Sequence, residues 1–259
     1  MRKIKAGSAA LNSIALPLVL GLAALGTAYQ TMVYQAIAQD ATTPYPNMAP
    51  VEQYLMNRTA EIALARSAAP ESISRDATIV VLGRQGYETA VEGKNGFVCM
   101  VERGWMGTLD WPEFWNPKTR GADCLNPEAA RSILPLAYLR TRIVMAGRSK
   151  DEIVSAMKVA FEKNQLPALE SGAMAYMMSK SSYLTDEGNH NGPHLMFFTP
   201  VEDAKDWGSG AEGSPVVSSP YWFRSPKKNS QAKGLPPILV FAVMVEDWSD
   251  GTPAGKHNN

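Results

Sequence analysis

Apolar and polar positions divide the chain into a leader and a body that follow different rules. Met1-Arg2-Lys3-Ile4-Lys5 is basic, no charged residue occurs from Ala6 to Gln39, and Ile14 to Leu25 is almost wholly apolar. A basic start followed by an apolar run is the pattern of an export signal. Ala36-Ile37-Ala38 supplies small residues three and one before a cut, so cleavage is expected after Ala38; a cut after Ala28 fits the small-residue rule less well. The competing reading is an uncleaved anchor, since such a stretch can cross a bilayer about 30 Å thick. Pro17, Gly21, Gly26 and Thr27 interrupt the run and argue against that anchor. No cysteine precedes the expected mature start, so the sequence gives no support to lipid anchoring.

Beyond the leader, residues 39–50 hold three prolines and read as an extended segment. From Val51, the positions Val51, Leu55, Ile62 and Ala65 lie near helical spacing, with Pro50 suited to a first turn and Pro70 beyond the end. Ala77 to Leu82 is short and β-branched, the mark of a buried strand. Tyr87–Val91 and Phe97–Arg103 flank Asn95-Gly96, which predicts a hairpin between them because both turn residues tolerate positive φ. Residues 105–126 show little periodicity and predict a long loop. Helices are expected over 127–133 and 135–146, stopped at Gly147, and over 149–164, where Ser149 and Glu152 have capping-box spacing. Ile153, Met157, Ala160 and Phe161 would form the buried stripe of that last helix.

The final third returns to strands, with 173–179 and 194–199 expected as a hairpin and 238–245 as a further strand. An aromatic patch at Tyr221-Trp222-Phe223 interrupts a Gly-, Ser-, Pro- and Lys-rich stretch. The predicted class is α+β, a mainly antiparallel sheet with a central helical block. One domain is expected over 51–248, followed by a polar tail from 249 to 259 that frays.

Charge and cysteine content narrow the partners. Three of the 25 basic residues leave with the signal, so 22 remain against 25 acids, a balance that gives no electrostatic reason for nucleic acid or an anionic membrane as partner. A membrane is expected only if the leader is retained. The two cysteines, Cys99 and Cys124, both lie in the exported part, where an even count favours a disulfide over two buried free thiols.

Candidate chemistry is sparse. His190, His194 and Glu187 sit close in sequence and are the candidate ligands for a divalent metal. Gly188, Gly192 and Pro193 preclude the helix that would bring the two imidazoles to one face, so polar loop histidines are the alternative. Ser155/Lys158 and Ser225/Lys228 match Ser-x-x-Lys without its companion elements, and Ser209 lacks the outer glycines of a nucleophile elbow. Glu88, Glu92, Glu102, Asp110 and Glu113 gather around the first hairpin and its loop, where two carboxyls at the right separation would serve glycoside hydrolysis. Trp105, Trp111 and Trp115, with Asp110 among them, suggest a platform for a sugar ring or an apolar side chain; the alternative is that the indoles fold inward as core.

Gly86-Tyr87-Glu88, Asn95 through Arg103, and Gly192-Pro193-His194-Leu195-Met196-Phe197-Phe198 together resemble a family of secreted bacterial proteins of unassigned function, over most of the mature chain. The resemblance implies export from a bacterial cell and assigns no substrate, cofactor or catalytic residue. The expectation is therefore an exported domain that binds a small molecule, glycan or protein. The alternative is a metal-assisted hydrolase using His190 and His194.

Overall fold

Thr78–Gly83 (β1) and Gly86–Val91 (β2) close a tight antiparallel hairpin, with Gly86 at φ +123°, a conformation that side chains oppose. The computed structural model describes residues 44–188, 192–200, 208, 211–212, 235 and 238–255, and 216–220 as backbone. The leader (1–38), His190, Ser209, the 221–223 patch and Ser225 lie outside the described residues.

The hairpin expected about Asn95-Gly96 is not formed. Val98–Glu102 (β3) pairs with β1 in parallel, on the side away from β2. Gly96 does take positive φ (+80°), but Asn95 donates from Nδ2 to the Ile73 carbonyl (2.8 Å) and accepts from the Phe97 amide (3.1 Å). That side chain directs the connection across to the far side of β1. An Asn-Gly step specifies a turn; it does not specify which strand follows.

Gly121–Leu125 (β4) lies within the segment that reads as loop. All five of its residues are buried, so the half-buried alternation that reveals a strand is missing, and Asp123 at its centre disguises it further. Met174–Met177 (β5), His194–Thr199 (β6), Val216–Pro220 (β7) and Leu239–Met244 (β8) complete an eight-stranded sheet of order β2-β1-β3-β4-β5-β6-β8-β7. β5 and β6 pair antiparallel as expected. Only the β1–β3 pair is parallel among the described pairs, so the fold is α+β with a mixed, mostly antiparallel sheet.

The expected first helix divides. Val51–Gln53 is one 3₁₀ turn, and Arg58–Arg66 (α1) starts afresh where Asn57 Oδ1 accepts from the Thr59 and Ala60 amides (3.0 and 3.2 Å). A short turn, Glu71–Ser74 (α2), follows. Between β4 and β5 lie Pro127–Ser132 (α3), Leu134–Met145 (α4) and Lys150–Glu162 (α5). Pro135 sits in the first turn of α4, Gly147 takes φ +73° after its end, and the Ser149–Glu152 capping box opens α5.

The sheet has core on both faces. Val80, Leu82, Met100, Leu125 and Ala175 share one cluster with Leu136, Val144, Ile153 and Met157 from α4 and α5. On the other face α1 covers β1, β3 and β4, and Ile79, Cys99, Val101, Ala122 and Cys124 pack with Ala65. Cys99 and Cys124 stand opposite one another in the β3–β4 register and form the expected disulfide, both residues fully buried. Also buried on the α1 side is an ion pair. Arg103 Nη2 donates to Glu61 Oε1 (2.8 Å), Nε to the Tyr54 carbonyl (2.8 Å) and Nη1 to the Val101 carbonyl (2.5 Å), while the same Glu61 oxygen accepts from the Leu82 amide (3.1 Å).

Both flanking segments dock on the body. Tyr45, Met48 and Ala49 pack against the larger core, and Tyr45 donates to Asp186 Oδ2 (2.5 Å). The segment from residue 249 is held by hydrogen bonds as far as residue 254. The Ser249 amide donates to the Met178 carbonyl (2.9 Å), its hydroxyl to the Ser67 carbonyl (2.6 Å), and the Ala254 amide to the Glu246 carbonyl (2.7 Å). Asp250, which accepts from Thr252, and Gly251 at φ +76° fold this segment back on itself. Among the described residues no helix is long and apolar enough to cross a membrane.

Candidate functional site

Strand β6, His-Leu-Met-Phe-Phe-Thr, is apolar at positions that face both sides of the sheet. Phe197 stands opposite Met174 on β5 and Phe241 on β8, which places it on the sheet face that α1 covers farther along, over β1, β3 and β4. Here Phe197 is 40 % exposed, against 4 % for Phe241. Around it opens a groove of about 510 Å³ bounded by Phe197, Phe198, Phe241, Val243 and Leu169, with the turn Glu170-Ser171-Gly172-Ala173 at one end. That volume and apolar lining are those of a small-molecule site.

The turn is rigidly placed. The Ala173 amide donates to the Glu170 carbonyl (3.3 Å) with Gly172 at φ +84°, the third position of a turn that requires positive φ. Asn126, the residue after β4, holds it in place. Its Nδ2 donates to the Gly172 carbonyl (2.9 Å), its Oδ1 accepts from the Met174 amide (3.0 Å), and that same Oδ1 caps α3 through the Ala129 amide (2.9 Å). One amide thus couples a helix start to the groove's edge. On the outer side Glu170 takes a two-pronged contact from Arg131 (Nε 3.0 Å, Nη2 2.6 Å), which also meets Glu128 at 3.4 Å.

A second concentration of unusual groups lies inside the sheet. Met100 faces Asp123 and Glu102 faces Gly121 across β3–β4, so Glu102 and Asp123 are diagonal neighbours on one face. Asp123 is 2 % exposed, and its Oδ1 has no hydrogen-bond partner among the described residues. Burial pushes the Glu102 carboxyl up to about 7 against the opposing charge of Arg140. Burial, reinforced by Glu102, raises Asp123 well above the carboxylate range, opposed only in part by the Cys124 amide. Raised carboxyls favour the folded state when protonated, so this contribution is present at low pH and is lost as pH rises through about 7. Asp123→Asn should therefore stabilise the protein more at pH 8 than at pH 5. His194 works in the opposite sense, because burial lowers its pKa and its contribution is lost as pH falls. Urea melts of both proteins from pH 5 to 8 cancel that shared term, and an unchanged difference across the range would refute the assignment.

The sequence-predicted residues scatter. Trp105 is fully buried, donating from Nε1 to Thr141 Oγ1 (3.1 Å), and Trp115 is 7 % exposed against Phe114. Trp111 is half-buried, its ring so close over Gly107 that a Cβ there would lie 2.2 Å from it. The inward alternative thus describes Trp105 and Trp115, and both belong to the main core; Asp110 is exposed. His194 is buried with Nδ1 donating to the Gly192 carbonyl (2.8 Å), whereas Glu187 is exposed. Among the described residues no three His, Cys, Asp or Glu side chains converge to hold a metal ion, and His190 lies outside them. Glu113 is buried instead in a polar cluster, where Asn116 Nδ2 donates to it at 2.5 Å and to Asp186 at 3.4 Å. Lys118, Tyr183 and Tyr45 together hold the exposed Asp186 carboxyl well below its usual range. Ser155 donates to the Asp151 carbonyl of its own helix (2.9 Å).

Nothing in the sequence pattern singled out the groove. The available signal was the doubly apolar β6 with phenylalanines at consecutive positions, which requires cover on both faces or leaves one open. Compared with known protein families, with curated proteins and with solved structures, the chain matches none of them.

Proposed function

We propose that this chain is an exported domain that binds a small apolar molecule in the groove beside Phe197. The observation that carries the reading is the combination of a cavity of about 510 Å³ with a 40 % exposed phenylalanine at its wall, since a large apolar side chain kept toward solvent beside a concave apolar surface marks a contact site. The test is fluorescence of the neutral dye N-phenyl-1-naphthylamine, which brightens on entering an apolar site. Phe197→Glu places a charge against the ligand at an exposed position and should weaken dye binding about tenfold or more, with the circular dichroism unchanged. Undiminished binding by that variant would remove the reading.

Export is the other half of the proposal. A buried disulfide fits an oxidising compartment, and the leader has the sequence of a signal. N-terminal sequencing of the protein recovered from the periplasm or medium should begin at Gln39. Recovery of an intact amino terminus in the membrane fraction would favour the retained anchor instead.

A further inference from the structure

We infer that Met177, His194 and Met244 form a binding site for a soft monovalent metal ion, copper(I), on the sheet face opposite Phe197. His194 stands directly opposite Met177 on β5 and Met244 on β8, and both pairings are antiparallel, so the three side chains form one row on one face. Residues paired in this way hold their Cβ atoms about 5 Å apart, which lets two thioethers and an imidazole reach one ion. The imidazole is already oriented for that role. Its Nδ1 donates to the Gly192 carbonyl (2.8 Å), and in the neutral ring this leaves a lone pair on Nε2, which no hydrogen bond from a described residue engages. A second ring nitrogen tied to a backbone carbonyl is the support that metal-bound histidines use. His194 is 7 % exposed and Met244 37 %, so the row is shielded at its centre and open at its β8 end, where an ion can enter. Met177 joins by rotation. Its methyl group rests 3.2 Å from the place a Cβ on Gly121 would take, and an unbranched thioether chain changes rotamer readily. The donors select the ion, because thioethers are soft ligands that favour copper(I) over zinc, calcium or magnesium. Thiolates do not compete for it, since the chain has only two cysteines and they are joined to each other.

Titration of the purified mature chain against the copper(I) complex of bicinchoninate, with ascorbate as reductant, tests the site. The protein should withdraw a single equivalent of copper(I), and excess zinc(II) should not prevent it. Met177→Leu and Met244→Leu conserve side-chain volume at positions that are not fully buried, so each should leave the circular dichroism unchanged while weakening copper(I) binding about tenfold or more. His194→Gln should weaken it at least as much, but because that residue is buried the two leucine variants carry the test. A second measurement reads the sulfur atoms themselves. In protein labelled at its methionine methyl groups, silver(I), a diamagnetic stand-in for copper(I), should shift the resonances of Met177 and Met244, each assigned by its loss in the corresponding leucine variant. Failure of the parent protein to withdraw copper(I), an affinity unchanged in both leucine variants, or silver-induced shifts confined to other methionines would overturn the site. None of these outcomes bears on the groove beside Phe197, which lies on the other face.

Discussion

Arg103→Met is expected to destabilise the protein by about 3–5 kcal/mol, the largest effect of any single substitution proposed for this chain. The side chain is 1 % exposed or less, as is its partner Glu61, and methionine would leave that carboxylate buried with only the Leu82 amide beside it. The magnitude comes from stranding a charge, not from losing an attraction. A Glu61→Met/Arg103→Met double variant should therefore recover part of the loss. It should not recover all of it, because the double variant leaves both the Tyr54 carbonyl and the Leu82 amide without these side-chain partners. Chemical denaturation across this four-member cycle should give a coupling of about 2 kcal/mol or more. Additive single effects would show that the two residues act separately and would contradict the geometry.

Removing the disulfide is expected to have the next largest effect. Cys99 and Cys124 are 25 residues apart, and opening that loop restores unfolded-state entropy worth roughly 3.5 kcal/mol. The Cys99→Ala/Cys124→Ala variant should melt roughly 10 °C lower than the parent, with cavity formation between β3 and α1 adding to the loss. Because both residues have no exposed surface, dithiothreitol should leave the folded protein unreduced and act only in denaturant. Alkylation followed by mass measurement checks this directly. Two modified thiols in the native, untreated protein would mean that the bond is absent.

How much of this was legible beforehand depended on whether a residue's role is local. The capping box at Ser149, the stop at Gly147 and the β5–β6 pair were readable because neighbours in sequence dictate them. Strand β4 was not, since burial on both faces erases the alternation by which strands announce themselves and Asp123 looks like a loop residue. The first hairpin was misassigned for a different reason. Asn95 uses its side chain on Ile73, a contact 22 residues away that no turn rule contains. Glu61 carries no sequence signal of its own, because its partner Arg103 lies 42 residues away. The groove escaped notice because it is made by two strands and a turn whose alignment exists only in the assembled sheet. Conversely, the tryptophans drew attention by their chemistry, and packing turned two of them inward.

The position of β8 between β6 and β7 constrains the order of events when the chain is made. Residues 194–199 and 216–220 both emerge from the ribosome earlier than 239–244, yet neither can pair with the other; each waits for the later strand to fill the gap. If the protein is threaded through a translocase amino end first, the β6–β8 and β8–β7 pairings therefore stay open until residues 239–244 have passed through the pore. A holding chaperone at the exit would find its binding surface in the bare edge of β6 during that interval.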